Sequence, residues 1–290
     1  MKSMQWILFT SLVLGTACAK ETSSQSEVLQ RQGANIIDGT QVFTRVTPAA
    51  KSVVYLEYYN KDNEVICYCS GALIAPNFVL TAGHCFDERV IPNVKGFNVV
   101  FESHRIDFGP RTVRSGVEYE VHPLYNSIVA KPRLYDHDIA LAMFGGDMPA
   151  GFAPVAIDTD TNANYSNEQI YVYGYGRASD YKGDASDYDS GAYGYLRRGV
   201  MKVDEKYSET PDRYFISPLS PTFLCQGDSG GPQFYDKDKT LKIIGVNSAA
   251  IGAFLPNGKQ KCKGISQATK VAPMSSWIFD EQKKMLKQLN

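Results

Sequence analysis

Residues 225–232, with the sequence CQGDSGGP, restrict the possible folds of this chain more than any other segment. Glycines on both sides of Ser229 allow a tight turn that exposes the serine hydroxyl and points backbone N–H groups toward one place. A serine hydroxyl is a weak nucleophile, so the turn predicts a histidine base held by a carboxylate. Taken alone, these residues also fit a flexible surface loop, because glycine, serine and aspartate are frequent in turns.

The positions of the histidines exclude one fold that uses a similar turn. The Gly-x-Ser-x-Gly pattern also occurs at the nucleophile of α/β-hydrolases, where the acid and the histidine follow the serine. This chain contains four histidines, and all of them precede Ser229: His84, His104, His122 and His137. An α/β-hydrolase triad is therefore excluded, and the base must come from upstream.

The four histidines have different surroundings. His84 follows residues 72–80, an apolar run that predicts two short strands around a Pro-Asn turn and hence a rigid position. His104 lies beside an arginine and fits an exposed loop, while His122 precedes a proline at a predicted strand exit. His137 lies between two aspartates. We expect structural or surface roles for the last three.

Asp138 is the leading candidate for the carboxylate. It begins the apolar segment 138–144 (DIALAMF), where a buried carboxylate is costly without hydrogen-bonding partners. Asp136 is the alternative, but it lacks the Ile-Ala-Leu that follows Asp138. His84, Asp138 and Ser229 are therefore the candidate base, acid and nucleophile.

Four motifs together resemble those of the chymotrypsin-like (trypsin-family) serine endopeptidases. Residues 81–85 (TAGHC) resemble the histidine box, 138–141 (DIAL) the aspartate box, and 227–232 (GDSGGP) match the serine box. Residues 36–39 (IIDG) are similar to the start of mature family members, and the resemblance extends from there nearly to the C-terminus. It departs at Gly83, where alanine is usual.

The resemblance implies an all-β fold with two six-stranded antiparallel β-barrels and a C-terminal α-helix. We expect a peptidase domain over residues 36–290, with the first barrel over about 36–150, the second over about 151–270 and the helix over about 273–289. Apolar residues make up 43% of the chain, and 18 tyrosines and 14 phenylalanines favour strands. The helix is expected to pack on the second barrel.

The resemblance also implies a role for each candidate residue. Ser229 would attack the scissile carbonyl, His84 would transfer the proton, and Asp138 would hold the imidazole. The backbone N–H groups of Gly227 and Ser229 would form the oxyanion hole, and Ser248 would support the aspartate. No metal and no other cofactor is expected.

Six cysteines fit an exported protein. The resemblance implies a Cys69–Cys85 disulfide in the histidine loop and a Cys225–Cys262 disulfide beside the specificity pocket. Cys67 is left over, either as a buried free thiol or as a competitor of Cys69 for Cys85. The cysteine spacing does not match a zinc site.

The N-terminal residues predict export. Residues 6–14 form an apolar stretch that is too short to span a bilayer and is typical of a signal peptide. Cleavage after Ala19 and lipidation of Cys18 are alternative outcomes, and residues 20–35 form a polar tether or propeptide in either case. We expect a bacterial protein that is secreted, periplasmic or held at the membrane by that lipid alone.

Family members are activated by proteolysis, and the matching cut lies between Asn35 and Ile36. The new amine of Ile36 would then pair with the buried carboxylate of Asp228 and order the oxyanion turn. Asn35 stands where a basic residue is usual, and Asp38 stands where the family has glycine, so the activating protease is left open. The alternative is a constitutively ordered enzyme whose N-terminal segment is only a tether.

The specificity pocket has no predicted charge at its floor. The matching position is Phe223, where trypsin-like enzymes carry aspartate, so Arg and Lys side chains should be rejected. Ala249, Ala250 and Ser266 would line the walls. The resemblance therefore implies a shallow apolar pocket for small or medium side chains.

Residues 177–194 are rich in Tyr, Gly, Asp and Ser and predict a long mobile loop near the cleft. The spacing of its aspartates does not match an EF-hand calcium site, so a solvated acidic loop is expected: Asp180, Asp184, Asp187 and Asp189. The net charge of −1 gives no case for a nucleic-acid partner. We expect a monomeric serine endopeptidase acting on proteins or peptides, with a catalytically silent binding protein and an esterase as alternatives.

Overall fold

The computed structural model of this chain describes residues 36–103, 111–128, 134–180, 194–206, 209–237, 240–256 and 259–288. The predicted signal peptide over residues 1–19, the lipid on Cys18 and the tether over residues 20–35 lie outside this set. The same holds for His104 and for most of the predicted loop over residues 177–194. These interpretations stay predictions.

The described residues form fifteen β-strands and two α-helices. In chain order these are β1 (Thr40–Gln41), α1 (Pro48–Ser52), β2 (Val53–Tyr59), β3 (Val65–Ala75), β4 (Phe78–Thr81), β5 (Gly96–Val100), β6 (Val113–Val121), β7 (Asn126–Ile128), β8 (Leu134–Asp136), β9 (Ala140–Phe144), β10 (Gln169–Gly174), β11 (Arg197–Lys202), β12 (Arg213–Ile216), β13 (Pro232–Lys237), β14 (Thr240–Phe254), β15 (Gln260–Lys270) and α2 (Ser275–Gln288). Strands dominate and a helix ends the chain, so the predicted fold class is confirmed.

The first half of the chain forms a closed antiparallel barrel with the strand order β2-β3-β4-β9-β6-β5. Its interior side chains belong to one large apolar cluster, and burial of each such side chain contributes about 1.5–3 kcal/mol. The predicted Pro-Asn turn joins β3 to β4. Asn77 fixes this turn, because its Nδ2 donates to the carbonyls of Phe144 at 3.1 Å and Gly146 at 2.6 Å.

The second half forms a seven-stranded sheet with the order β1-β11-β10-β13-β14-β15-β12. Its ends approach each other, because Val203, just after β11, forms an antiparallel bridge with Ile216 of β12. The six strands from β11 to β12 thus curl round as expected for a second barrel, and β1 adds a strand at the edge. The segment that connects the barrel to the seven-stranded sheet runs from Phe144 at the end of β9 to Gln169 at the start of β10.

Helix α2 packs on the first barrel, so the predicted packing on the second barrel is wrong. Met285 lies in one apolar cluster with Leu141 and Met143 of β9. Alternate residues of a strand point to opposite faces, so β9 fills the barrel with one face and supports α2 with the other. Every residue of β9 is buried for this reason. Within the described ranges, no helix is long and apolar enough to cross a membrane.

Candidate active site

His84 lies at the junction of two strands of the first barrel. It is in a short 3-10 turn, Gly83–Phe86, directly after β4, and the next residue, Cys85, forms a disulfide with Cys69 of β3. Asp138 contacts His84 at two atoms: Oδ1 accepts a hydrogen bond from the backbone N–H at 2.7 Å, and Oδ2 lies 2.7 Å from ring Nδ1. One carboxylate therefore fixes both the backbone and the ring of the histidine.

Asp138 is completely buried and well supplied with donors. Besides the two contacts to His84, Oδ2 accepts from the hydroxyl of Ser248 at 2.5 Å. The backbone carbonyl of Asp138 accepts from the Thr269 hydroxyl at 2.9 Å. The hydrogen bonds to Oδ1 and Oδ2 compensate for burial of the carboxylate. Asp136, the alternative acid, instead forms an ion pair with Arg213.

A tyrosine that the sequence analysis did not select covers the histidine ring. The rings of His84 and Tyr135 are stacked, with centroids 4.7 Å apart and planes 16° apart. The carbonyl of Tyr135 accepts from Gln267 Nε2 at 2.5 Å. The position of Tyr135, shortly before the candidate acid, was the only signal in the sequence.

The serine turn packs against the strands that carry the histidine. Ser70 of β3 donates from its N–H to the Ser229 carbonyl at 2.7 Å and from its hydroxyl to the Gly227 carbonyl at 2.8 Å. Gly227 and Gly230 have φ of 90° and 79°, which favour glycine. A Cβ on Gly230 would lie 2.0 Å from Thr81 Oγ1 at the end of β4. The close approach therefore requires glycine.

Within the described residues, the groups expected to act on a substrate have no other hydrogen-bond partner. Neither the Gly227 N–H nor the Ser229 N–H donates to an acceptor within the described residues. The Ser229 hydroxyl likewise makes no hydrogen bond there, including none to His84. In unliganded enzymes such catalytic contacts are often long and tighten only with substrate.

Asp228 is buried directly behind this turn. Its Oδ1 accepts from Gly176 N–H at 2.8 Å, and its Oδ2 accepts from Cys225 N–H at 2.9 Å. A Cβ on Gly174 would lie 2.2 Å from Oδ1, and one on Gly176 would lie 2.5 Å from the carboxyl carbon. Burial raises the pKa of Asp228 to about 7, against the lowering effect of these N–H groups and of Arg197.

The first described residues pack against Phe223, the predicted floor of the specificity pocket. Ile36 and Ile37 are buried, and Ile37 exchanges backbone hydrogen bonds of 3.0 and 3.1 Å with Phe223. Asp38 pairs with Lys263 at 2.7 Å on the surface, and Lys263 Nζ lies 5.7 Å from the centre of the Phe223 ring. The segment is thus tied to the predicted pocket floor by backbone and side-chain contacts.

The predicted pocket residues come together in part. Phe223 packs with Ala250 and with the Cys225–Cys262 disulfide, while Ser266 lies opposite Ala250 in the β14–β15 pair. The methyl group of Ala249 packs instead against the large core cluster. This leaves Phe223, Ala250 and Ser266 as the residues that share the pocket region. These three side chains carry no charge.

The other described histidines lie outside this site. His122 and His137 stack on each other with centroids 5.2 Å apart, and His122 also meets Trp277 edge to face at 4.9 Å. Burial lowers the pKa of His122 to about 4, with a smaller contribution from His137. The backbone N–H of His137 donates to Asp212 Oδ2 at 3.1 Å. These contacts are structural, as the sequence analysis expected.

Both disulfides implied by the resemblance are present, Cys69–Cys85 and Cys225–Cys262. Cys67 is also disulfide-bonded, so it is neither a free thiol nor a competitor for Cys85. In the described part of the chain, the one cluster with metal-ligand types is Cys69, His84 and Cys85. Its sulfurs are bonded to each other and cannot serve as thiolate ligands.

A sequence model of the family described as Trypsin matches residues 39–278. The chain belongs to the trypsin family. The matched residues contain every strand from β1 to β15 together with the candidate site. This trypsin-family membership supports a serine-type peptidase and agrees with the resemblance that the four sequence motifs indicated.

Trypsin-family relatives come from several animals. The chain is 24% identical over 268 residues to human (Homo sapiens) granzyme M, covering 85% of this chain and 88% of that protein. It is 26% identical over 278 residues to a collagenase of Hypoderma lineatum, covering 92% and 95%. It is 29% identical over 197 residues to a venom protease of Bombus pensylvanicus, covering 65% and 77%. The expected bacterial origin is not supported by these eukaryotic relatives.

Proposed function

We propose that this trypsin-family protein is a serine endopeptidase with Ser229 as nucleophile, His84 as base and Asp138 as the supporting acid. The observation that carries the proposal is that Asp138 contacts both the backbone N–H and the ring Nδ1 of His84, next to the turn that contains Ser229. Because Nδ1 donates its proton to Asp138, the lone pair of Nε2 is left to act as the base.

Each proton has a donor and an acceptor in this mechanism. The Ser229 hydroxyl oxygen attacks the scissile carbonyl carbon while His84 Nε2 takes the hydroxyl proton. The same proton then passes to the leaving amine as the C–N bond breaks, which leaves an acyl-enzyme. A water molecule attacks the ester in the second half, and His84 again accepts and returns the proton. Asp138, which accepts a hydrogen bond from Ser248, stabilises the imidazolium during both halves.

The turn around Ser229 supplies the oxyanion hole in this proposal. Its support is that the N–H groups of Gly227 and Ser229 have no acceptor within the described residues. Removal of one such donor typically costs about 2.7–4 kcal/mol of transition-state stabilisation. The uncharged Phe223, Ala250 and Ser266 favour substrates with small or medium apolar side chains before the scissile bond.

The protein is further proposed to be exported and matured by a cut between Asn35 and Ile36. Disulfides are typical of exported proteins, and one relative is a venom protease. The burial of Ile36 and the pairing of Ile37 with Phe223 fit an inserted N-terminus that approaches Asp228. Residues 1–19 would be the signal peptide, with Cys18 lipidation as the alternative, and the mature enzyme would act as a monomer on proteins or peptides.

A fluorophosphonate probe tests the catalytic proposal directly. We expect covalent labelling of Ser229 in protein cut before Ile36, and no labelling of a Ser229→Ala control. Absence of labelling after a verified cut would support a silent binding protein. Parallel assays with matched peptide and ester substrates separate a peptidase from an esterase. Within the peptides, alanine, valine or leucine before the scissile bond should be preferred over arginine or lysine.

A further inference from the structure

A buried arginine lies behind the serine turn, and the proposed chemistry does not use it. Arg197 begins β11 and is only 4% exposed. Its Nη1 donates to the carbonyl of Gly39 at 3.3 Å, and its Nη2 donates to the side-chain oxygen of Gln41 at 3.4 Å. A guanidinium buried to this extent interacts strongly with nearby charges, because little water screens it.

The strand register places Arg197 on the side of the sheet where the Asp228 carboxylate lies. Arg197 lies directly opposite Gly174 in the β10–β11 pair, and opposed residues place their Cβ atoms on the same face of a sheet. On that face, a Cβ at Gly174 would lie 2.2 Å from Asp228 Oδ1. The arginine therefore leaves its strand on the side where the carboxylate lies. Glycine at position 174 leaves the space that lets the carboxylate enter.

The charges agree with this geometry. Burial lowers the pKa of Arg197 to about 10 and raises that of Asp228 to about 7, and the electrostatic interaction between the two groups opposes both shifts. Among the described residues, Arg197 is the one charged side chain that contributes to the pKa of Asp228. Its contacts to Gly39 and Gln41 also connect this charge to the inserted segment that follows Ile36.

We propose that Arg197 is a positioning residue that supplies the positive charge for Asp228 before the cut at Ile36, so that the oxyanion turn is already ordered in the uncut chain. The inference rests on the proposed function. Asp228 lies between the two residues whose N–H groups face the substrate, so fixing its carboxylate fixes both donors. The uncut protein then has measurable activity, and the amine of Ile36 strengthens an arrangement that already exists.

The test compares uncut and cut protein. A recognition segment for a sequence-specific protease replaces residues 31–35, so that the cut falls before Ile36. The rate of fluorophosphonate labelling is measured before and after that cut for wild type, Arg197→Gln and Arg197→Lys. Arg198→Gln is the matched control, because Arg198 is the next residue, is exposed and lies over the Tyr171 ring at 4.0 Å.

We expect uncut wild type to be labelled and uncut Arg197→Gln to be labelled about tenfold more slowly or worse, since loss of the guanidinium leaves the buried carboxylate with less compensating charge. Arg197→Lys and Arg198→Gln should keep most of the uncut rate. After the cut, Arg197→Gln should recover most of the wild-type rate, which also demonstrates that it folds.

Three results overturn the inference: no labelling of uncut wild type when the cut protein is labelled, equal uncut rates for wild type and Arg197→Gln, or equal losses for Arg197→Gln and Arg198→Gln. If Arg197→Gln does not fold, uncut Arg197→Lys decides, because a slow rate in a folded Lys variant also contradicts a role based on charge. Failure of both uncut and cut wild type to label instead rejects the proposed function itself.

Discussion

The two halves of the candidate site are held in place by different interactions. In the acid–base half, Asp138 binds His84 by two contacts of 2.7 Å and receives a third hydrogen bond from Ser248. In the oxyanion half, the turn over residues 225–231 encloses Asp228, a carboxylate whose pKa burial raises to about 7. Hydrogen bonds between its own members fix the geometry of the first half. The geometry of the second half depends on which positive charges lie near Asp228. Control by proteolysis is therefore expected to act on the oxyanion half.

Asp138→Asn should give the largest effect and should act on the acid–base half alone. The amide cannot stabilise the imidazolium and favours the wrong tautomer of His84, so we expect kcat to fall about 10⁴-fold with little change in KM. Steady-state kinetics on cut and uncut protein should give the same factor. Asp136→Asn is the control, because that carboxylate pairs with Arg213. A clearly larger loss in the uncut protein would contradict the separation of the two halves.

Gly230→Ala should disrupt the contact between the two halves. The new Cβ would lie 2.0 Å from Thr81 Oγ1 and 2.4 Å from the Ser70 carbonyl, and such overpacking costs about 1–3 kcal/mol of unfolding free energy. Gly151→Ala is a matched control, because Gly151 also has positive φ, 89°, but no atom lies within 4 Å of its Cβ position. Urea unfolding measures both variants. An equal loss in both would mean that backbone strain alone explains the effect.

Asp228 should make the stability of the uncut chain depend on pH. Its pKa is about 7 in the folded protein and about 3.9 when unfolded, so the folded state binds more protons between these values. The contribution of this carboxyl to stability is therefore full below about pH 4 and is lost as pH rises to about 7. Uncut Asp228→Asn should gain stability relative to wild type across that window. The cut supplies an amine near Asp228, so it should flatten the difference.

The motifs of both halves could be predicted from sequence because each is local. The chain order of His84, Asp138 and Ser229 excluded one fold and indicated another, and the strands around the Pro-Asn turn followed from an apolar run and two turn residues. Contacts that depend on strand register could not be predicted. Arg197 reads as an ordinary arginine until the β10–β11 pairing places it opposite Gly174, on the side of the sheet where the Asp228 carboxylate lies.

The errors have the same origin. The apolar face of α2 indicated that the helix packs against the protein, but it did not identify the surface. The helix packs on the outer face of β9, whose sequence is that of an ordinary buried strand. The stacking of Tyr135 on His84 likewise arises where two separate segments meet. The state of Cys67 depends on a pairing that spacing alone leaves open. Short-range sequence patterns thus predicted the catalytic residue types of the candidate site better than they predicted the contacts that support those residues.

The smallest effect is expected far from both halves, at His122, and it provides the reference for the Asp228 measurement. The ring is buried against Trp277 and His137, and its Nδ1 accepts from the Leu124 N–H at 3.3 Å, which requires that nitrogen to be unprotonated. Its pKa falls to about 4 in the folded chain against about 6.5 when unfolded.

The sign for His122 is the opposite of that for Asp228. The unfolded chain binds the extra proton between pH 6.5 and 4, so stability from His122 is full above about 6.5 and is lost as pH falls through that window. His122→Phe keeps an aromatic ring and removes the titration, so the stability of wild type relative to the variant should decline on acidification and stay constant above pH 7. Urea unfolding of both proteins measures this difference. If the difference in unfolding free energy between the two proteins did not change with pH, His122 would already be solvated in the folded chain. The predicted opposite pH dependences of Asp228 and His122 would then be wrong.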